Sequence, residues 1–334
     1  MPFTRVCVAE SEETGDKLWV KAYAGTGGRN GDANRVTEFD FIDDWARSKL
    51  SRETHGALFQ APASPDRKRW METNVKACEN FLTKENALHT YAGKYAGRTC
   101  VMVCPGPSSK GIVERLAPFR DSIDVCAINR AGMYEGLDPK WFGTVEVHTP
   151  PEWHEKIDPM KVTLLATPIV DAAVHRRWNG SNCLYAYLRD CGNPAFPPYK
   201  DLGMVVGAYT VSTVLLHMLA VLGYSRILMV GVDLACGDVE LSASKDGGSN
   251  LKGEVYGDGK TMEGTYFEGC MMFRAVGLDG NECFTNSMFL SQRTGLECQM
   301  ETAWEAGIEV YNCSGRGILD YRVGDLETLL RSRK

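Results

Sequence analysis

The 334-residue chain is informative first for what it lacks. No apolar run approaches the length of about 20 residues needed to cross a bilayer. The first residues show no charged-then-apolar leader pattern. Positive charge is not in excess: 37 Lys and Arg stand against 43 Asp and Glu, a formal net charge of −6. Coating a nucleic acid or an anionic membrane needs a strong basic field, so both roles are disfavoured. None of the 12 cysteines forms a C-x-x-C pair. Cys100, Cys104, Cys126, Cys283 and Cys313 instead sit in apolar runs, the pattern of small buried hydrophobes in a reducing compartment rather than of a zinc site. These absences lead to the expectation of a soluble, cytoplasmic protein with no membrane span and no cysteine-built metal site.

What is present centres on the run Cys100-Val-Met-Val-Cys-Pro-Gly-Pro-Ser-Ser109. Apolar residues run straight into a small-residue turn, and a helical pattern (Ile112, Val113, Leu116) follows at once. This predicts a buried strand, a tight turn and a helix start. In an open parallel α/β sheet such a turn lies at the carboxyl edge, where ligands bind. Backbone N–H groups at a helix start suit a phosphate, Gly106 lets the backbone approach, and Ser108 or Ser109 can cap the helix or bond an oxyanion. The turn is neither a P-loop nor a complete G-x-G-x-x-G fingerprint. A plain strand–helix connection is the alternative at this point.

From residue 98 onward the pattern alternates strand, turn and helix, with strands expected at Arg98–Cys104, Asp124–Ile128, Thr144–His148, Val162–Thr167, Ile227–Val230 and Ile308–Asn312. Apolar helices are expected over Ala208–Leu222 and Ser287–Ala306. Strands joined by crossover helices imply an α/β, Rossmann-like fold: a mainly parallel, doubly wound sheet with helices on both faces. Residues 1–96 read as a small N-terminal α+β subdomain ending in a helix with Trp70, Val75 and Phe81 in its apolar stripe. Residues 97–334 read as the main domain. Within it, 171–200 is aromatic and proline-rich, suggesting a lid-like insertion, and 237–264 is a long polar loop.

Four strand ends carry ligand-type residues: Pro105–Ser109, Asn129-Arg130, Asp233, and the second small-residue turn Asn312–Gly317. In a parallel sheet they fall on one edge and can converge on one ligand. Small turns hold phosphates, Asn129 can read a base or ribose, and Asp233 can bind a hydroxyl, a metal or a cationic group. Each residue also has a structural role available, as a cap or turn former.

Several blocks together resemble one family pattern: Gly106-Pro-Ser108, Asp124–Asn129, Thr210 through Gly223 to Gly231-Val-Asp-Leu234, Gly280–Thr285 and Tyr311–Gly317. The pattern is similar to the superfamily of motility accessory factors and 6-hydroxymethylpterin pyrophosphokinase-like proteins, with similarity to bacterial sialyltransferases that use a CMP-sugar. It covers roughly residues 70–325. The resemblance implies a nucleotide-binding domain and transfer of a nucleotide-activated group. Gly106, Pro107 and Ser108, with Ser109, match the donor-phosphate turn. Asn129 matches a nucleotide contact, with Arg130 beside it. Thr210 and Ser212 match the small residues that open the long helix. Asn312, Ser314 and Gly315 belong to the second turn. The chain departs from the sialyltransferases at Pro105, where they carry an asparagine. It departs from the pterin enzymes at Val145–Pro151 and Thr167–Asp171, which lack the acidic motifs that would bind magnesium.

The leading expectation is therefore a glycosyltransferase-like enzyme moving a sugar from a nucleotide-activated donor, a CMP- or other NDP-sugar, to an acceptor hydroxyl. The partners expected are the nucleotide and a small-molecule or glycan acceptor; a modified nucleic acid is an acceptor that the charge does not indicate. The need for a divalent metal is open, as is the oligomeric state. An ATP-dependent pyrophosphokinase and a non-catalytic nucleotide-binding module are the alternatives. Transfer needs a base for the acceptor proton. His148, at a strand end, is the first candidate, and His154 follows in the next loop. His175 lies beside Arg176-Arg177 as a possible base and clamp. Asp233 is the carboxylate candidate, and Tyr256 and Tyr266 are possible phenol donors.

Overall fold

The structure is a computed structural model. It describes residues 4–10, 17–24, 36–41, 67–188, 202–205, 210–235, 266–267, 270–271, 273–285 and 287–332. The polar loop expected at 237–264, with Tyr256, and the distal part of the expected lid lie outside the described residues.

Sixteen strands are described. In chain order they are β1 (Thr4–Glu10), β2 (Lys17–Ala24), β3 (Val36–Phe41), β4 (Thr99–Val103), β5 (Asp124–Ile128), β6 (Trp141–Thr144), β7 (Thr163–Ala166), β8 (Cys183–Tyr185), β9 (Tyr187–Leu188), β10 (Met204–Val205), β11 (Arg226–Val230), β12 (Tyr266–Phe267), β13 (Cys270–Met271), β14 (Phe273–Val276), β15 (Glu282–Thr285) and β16 (Glu309–Asn312). The helices are α1 (Arg67–Cys78), α2 (Ile112–Leu116), α3 (Ala172–Trp178), α4 (Val211–Leu222), α5 (Ser287–Glu305) and α6 (Leu326–Arg331).

The centre is a seven-stranded, all-parallel sheet in the order β16-β11-β4-β5-β6-β7-β8. Its strands are apolar on both faces because helices cover both. Val101 and Val103 of β4 pack with Ile112, Leu116, Trp178 and Leu326 on one side. Cys100, Met102 and Cys104 pack with the apolar residues of α4 and with Leu296 and Met300 of α5 on the other. The period-2 alternation of β4 thus feeds two cores. The Rossmann-like α/β architecture is as the alternation of elements requires.

After β4 the chain steps outward through β5, β6, β7 and β8, then returns to lay β11 on the opposite flank of β4, with β16 beyond it. The order of winding reverses between β4 and β11. In doubly wound sheets the carboxyl ends of strands at such a reversal frame the ligand crevice.

Three expectations are corrected. The strand placed at Thr144–His148 is Trp141–Thr144, because Trp141 and Phe142 fill the two cores completely. The segment read as a lid supplies, in its described part, helix α3 and the edge strand β8 of the main sheet. Its aromatics Trp178 and Tyr185 are fully buried core rather than a cover over a ligand. The N-terminal segment is not self-contained. β1 pairs antiparallel with β14, which pairs with β15, so a five-stranded sheet β15-β14-β1-β2-β3 joins residues from both ends of the chain.

Of the cysteines, Cys78, Cys100, Cys104, Cys126, Cys183, Cys283 and Cys313 are buried thiols in no disulfide, and burial pushes the Cys104 thiol up to about 12. Among the described residues no helix is long and apolar enough to cross a membrane.

Candidate functional site

The turns after β4, β11 and β16 interlock at the switch point. The Cys104 N–H donates to the Val230 carbonyl (2.8 Å), and the Gly106 N–H to the Gly231 carbonyl (3.0 Å). A single turn of 3₁₀ helix, Pro107–Ser109, then begins with Gly106 extended before it. The Ser108 N–H at its start donates to Asp233 Oδ2 at 2.9 Å. A carboxylate is favoured there because the first N–H groups of a helical turn point outward without a backbone acceptor. Glycine is required at two of these positions. A Cβ on Gly106 would lie 2.6 Å from Asp233 Oδ2 and would collide with the Gly231 carbonyl oxygen. Gly231 has φ +79°, and a Cβ there would collide with the Cys104 carbonyl oxygen.

The β16 turn closes the assembly. Asn312 Oδ1 accepts from the Ser314 N–H (3.0 Å), and Ser314 Oγ accepts from the Val232 N–H (3.1 Å). Asn312 Nδ2 donates to the Leu319 carbonyl (2.6 Å), and the Asp233 carbonyl accepts from the Ile318 N–H (2.9 Å). Asn312 is fully buried, whereas Gly315, with φ +72°, is exposed at the tip. In this structure Asn312 and Ser314 hold the β11 turn in place.

On the other side of β4, Ser109 Oγ donates to the Gly106 carbonyl (2.8 Å) and lies 2.9 Å from the Tyr134 hydroxyl. Burial pushes the Tyr134 phenol up to about 12, so it stays protonated. Asn129 ends β5 in the left-handed region at φ +50°, and Leu234 follows Asp233 at φ +51°. Asparagine tolerates this conformation, while for leucine it is an outlier of the kind that clusters at functional turns. Asn129 Nδ2 donates to Glu146 Oε1 (3.3 Å), yet its Oδ1 is buried with no hydrogen-bond partner. The hydroxyl of Ser108 is likewise buried and unpartnered. Buried polar atoms are nearly always bonded, so two such atoms on neighbouring strand ends call for an explanation. The guanidinium of Arg130 lies 5.5 Å over the Trp153 ring, and burial lowers its pKa.

Farther along the same edge, His148 is largely exposed, with its Nδ1 3.4 Å from Asp171 Oδ2. Asp171 Oδ2 also accepts from the Thr149 N–H (3.1 Å), and Oδ1 accepts from Ala173 N–H (2.7 Å) as the N-cap of α3. Burial alone would raise the Asp171 pKa, but these backbone donors and His148 outweigh it and hold the carboxyl below its usual value. The imidazole stacks on Trp70 of α1, with ring centroids 5.0 Å apart and planes 25° from parallel.

Other candidates fall elsewhere. His175 is fully buried, its Nδ1 3.0 Å from the Tyr185 hydroxyl, and burial lowers its pKa to about 4. It packs in the core, and the structure does not bring it to the sheet edge. Arg177 donates to the Glu155 and Ile157 carbonyls (2.6 Å each). His154 is buried against Phe142 and Trp178. Thr210 caps α4, accepting from the Ser212 N–H (3.4 Å), and Ser212 Oγ lies 3.5 Å from Cys104 Sγ at the end of β4. Among the described residues no group of three or more His, Cys, Asp or Glu is placed to hold a metal ion. The contacts of Tyr134 with Ser109 and of Asp171 with His148 escaped the sequence reading, and Trp70, read as part of an apolar stripe, is instead partly exposed beside His148. Only the N-cap pattern Asp171-Ala-Ala carried a local signal.

No protein-family model matches the chain, and no curated protein matches it. Among solved structures, the chain is similar to the MAf glycosyltransferase from Magnetospirillum magneticum AMB-1, with a TM-score of 0.51 at 15% identity. The likeness is one of fold. It covers 88% of this chain and 43% of that protein, so the chain spans less than half of its structural neighbour.

Proposed function

We propose that the chain is a glycosyltransferase-like enzyme that binds a nucleotide-activated sugar at the β4–β11 switch point and transfers the sugar to an acceptor hydroxyl. The observation that carries this reading is the pair of buried, unpartnered polar atoms beside that point, Ser108 Oγ after β4 and Asn129 Oδ1 after β5. A nucleotide supplies the missing partners: phosphate oxygens accept from the serine hydroxyl, and base or ribose donors bond to the amide oxygen. The fold shared with a glycosyltransferase supports the same class.

In this mechanism the phosphate side of the donor sits over Gly106–Ser109, and Arg130 offsets the charge that develops on the leaving phosphate. His148 Nδ1 lies 3.4 Å from Asp171 Oδ2; in this reading it carries the imidazole proton, which leaves Nε2 as the proton acceptor. The acceptor oxygen attacks the anomeric carbon as the bond from that carbon to the phosphate oxygen breaks. The hydroxyl proton passes to His148 Nε2, and the nucleotide leaves with the bonding pair. Asp171 fixes the imidazole tautomer and ring orientation, as the carboxylate partner of a catalytic histidine does.

The acidic groups favour this reading over a magnesium-dependent pyrophosphokinase. Asp171 and Asp233 both accept from backbone N–H groups, and Asn129 donates to Glu146. The test is nucleotide release from a panel of CMP-, UDP- and GDP-sugars by the purified protein. Release from one class, reduced about 10²- to 10⁴-fold in His148→Gln with donor binding retained, is the expected result. Release unchanged by that substitution would remove His148 from the mechanism.

A further inference from the structure

Trp70 has no part in the chemistry just described, yet its place beside His148 is tightly specified. Helix α1 is fastened to the sheet edge by one buried side chain, Asn74. Its Nδ2 donates to the Val147 carbonyl (2.9 Å) and the Ile169 carbonyl (3.0 Å), and its Oδ1 accepts from the Ala172 N–H (3.1 Å). Val147 precedes His148 and Ala172 follows Asp171, so Asn74 ties the chain beside both residues to α1. Residues four apart share a face of a helix, which carries the register of Asn74 to Trp70 one turn earlier. The indole face is taken up by the imidazole itself: the ring centroids lie 5.0 Å apart, with planes 25° from parallel. Even so, 75% of the His148 side chain stays exposed.

We infer that Trp70 is a positioning residue for His148: it holds the imidazole by its face and aims Nε2 at the acceptor hydroxyl. The inference rests on the transferase reading and adds a residue to its proton-transfer step. Asp171 reaches the ring at one corner, Nδ1, at 3.4 Å. A single contact of that kind leaves the ring free to pivot about it. A second contact across the face removes the pivot, so the two together define a plane and a direction. The lone pair that takes the proton lies in that plane at Nε2. Covering one face therefore leaves the reacting edge open, in keeping with the exposure of the side chain. The stack also acts on charge. When the acceptor proton arrives the ring becomes a cation, and an indole face attracts a cation more than a neutral ring. Trp70 thus favours the state formed during transfer over the resting state, which raises a rate rather than only a binding constant. Mounting the indole on α1, rather than in the loop of His148, gives the clamp a rigid base.

The experiment uses the full chain with nitrogen-15-labelled histidine, and the His148 signals are assigned from His148→Gln. Long-range proton–nitrogen spectra at mildly alkaline pH report which ring nitrogen carries the proton. The ring-proton positions report the indole stacked on the ring. In the native protein the expected pattern is a single tautomer, Nδ1–H, with the His148 ring protons moved upfield by Trp70. Trp70→Leu keeps an apolar side chain on the helix but removes the aromatic face. It should give a mixture of both tautomers, and Trp70→Phe should restore the single one. In transfer assays with the donor that the sugar-nucleotide panel identifies, Trp70→Leu should lower kcat about two- to fivefold with KM unchanged, the size of an exposed cation–π contact. A mixed tautomer pattern in the native protein, or the same single pattern in Trp70→Leu, overturns the inference. So does a Trp70→Leu effect that falls on KM alone. The native spectrum decides the matter even if Trp70→Leu fails to fold. A held ring with no nucleotide released from any donor sinks the transferase reading and spares the clamp. Release together with an unheld ring sinks the clamp alone.

Discussion

Asp233 Oδ2 accepts the backbone N–H of Ser108 at 2.9 Å, so a carboxylate from β11 closes the first turn after β4 across the point where the sheet reverses its winding. The two residues are 125 positions apart in the chain. Their bond ties together the turns that frame the candidate donor site. Asp233→Ala leaves that N–H without its partner and is expected to lower unfolding stability by about 2 kcal/mol. Asp233→Asn keeps an acceptor and should cost less. Urea denaturation of the two variants checks the order.

The glycines of these turns divide into two kinds. Gly106→Ala places a methyl against Asp233 and the Gly231 carbonyl. It should destabilise by about 1–3 kcal/mol, as overpacking does, and should weaken nucleotide binding. Gly315→Ala has open space around it and only the strain of φ +72°. It should cost about 1 kcal/mol. Equal effects in the two variants would contradict the interlocked-turn geometry.

His175 gives a pH prediction. Burial lowers its folded pKa to about 4, against an ordinary value near 6.5. The depressed value means the neutral form is the one the core holds. Its contribution is fully present above about pH 6.5 and is lost as pH falls toward 4, by about 3 kcal/mol over that window. Stability measured from pH 7 to 4 should fall more steeply in the native protein than in His175→Phe. Parallel curves would show that His175 is not held neutral.

Strands β4, β5, β7, β11 and β16 were legible because apolar runs bounded by turn residues leave few other readings. The turns after β4, β5, β11 and β16 were expected on one sheet edge, and they belong to four adjacent strands. What misled was composition without partners. Val145-Glu-Val147 alternates like a strand, but Trp141 and Phe142 make the buried one. The aromatics of 171–200 resembled a lid because the burial of Trp178 depends on distant partners: it stacks on Phe142 of β6. The pairing of β1 with β14, and of Trp70 with His148, joins residues 78 to 269 positions apart (Trp70 to His148, Val6 to Ala275). Such contacts leave no periodic trace.

Asp171 both caps α3 and holds His148, so the two roles are separable by substitution. Asp171→Asn keeps an acceptor for the Ala173 N–H and should leave stability within about 1 kcal/mol. It should nevertheless lower transfer, because the amide no longer supports an imidazolium at His148. Asp171→Ala should lose both, with a further cost of about 1 kcal/mol for the cap. A transfer rate unchanged in Asp171→Asn would separate the carboxylate from the chemistry.

The central claim, a nucleotide at the β4–β11 switch point, is tested most directly by thermal unfolding with CMP, CDP, UDP, GDP and ATP, each with and without magnesium or manganese. Ligand that binds only the folded state raises the melting temperature with its concentration relative to Kd. The account predicts a metal-independent rise with one of the sugar-carrier nucleotides, lost in Ser108→Ala and Asn129→Ala. A rise only with ATP and magnesium, or none with any nucleotide, would contradict it.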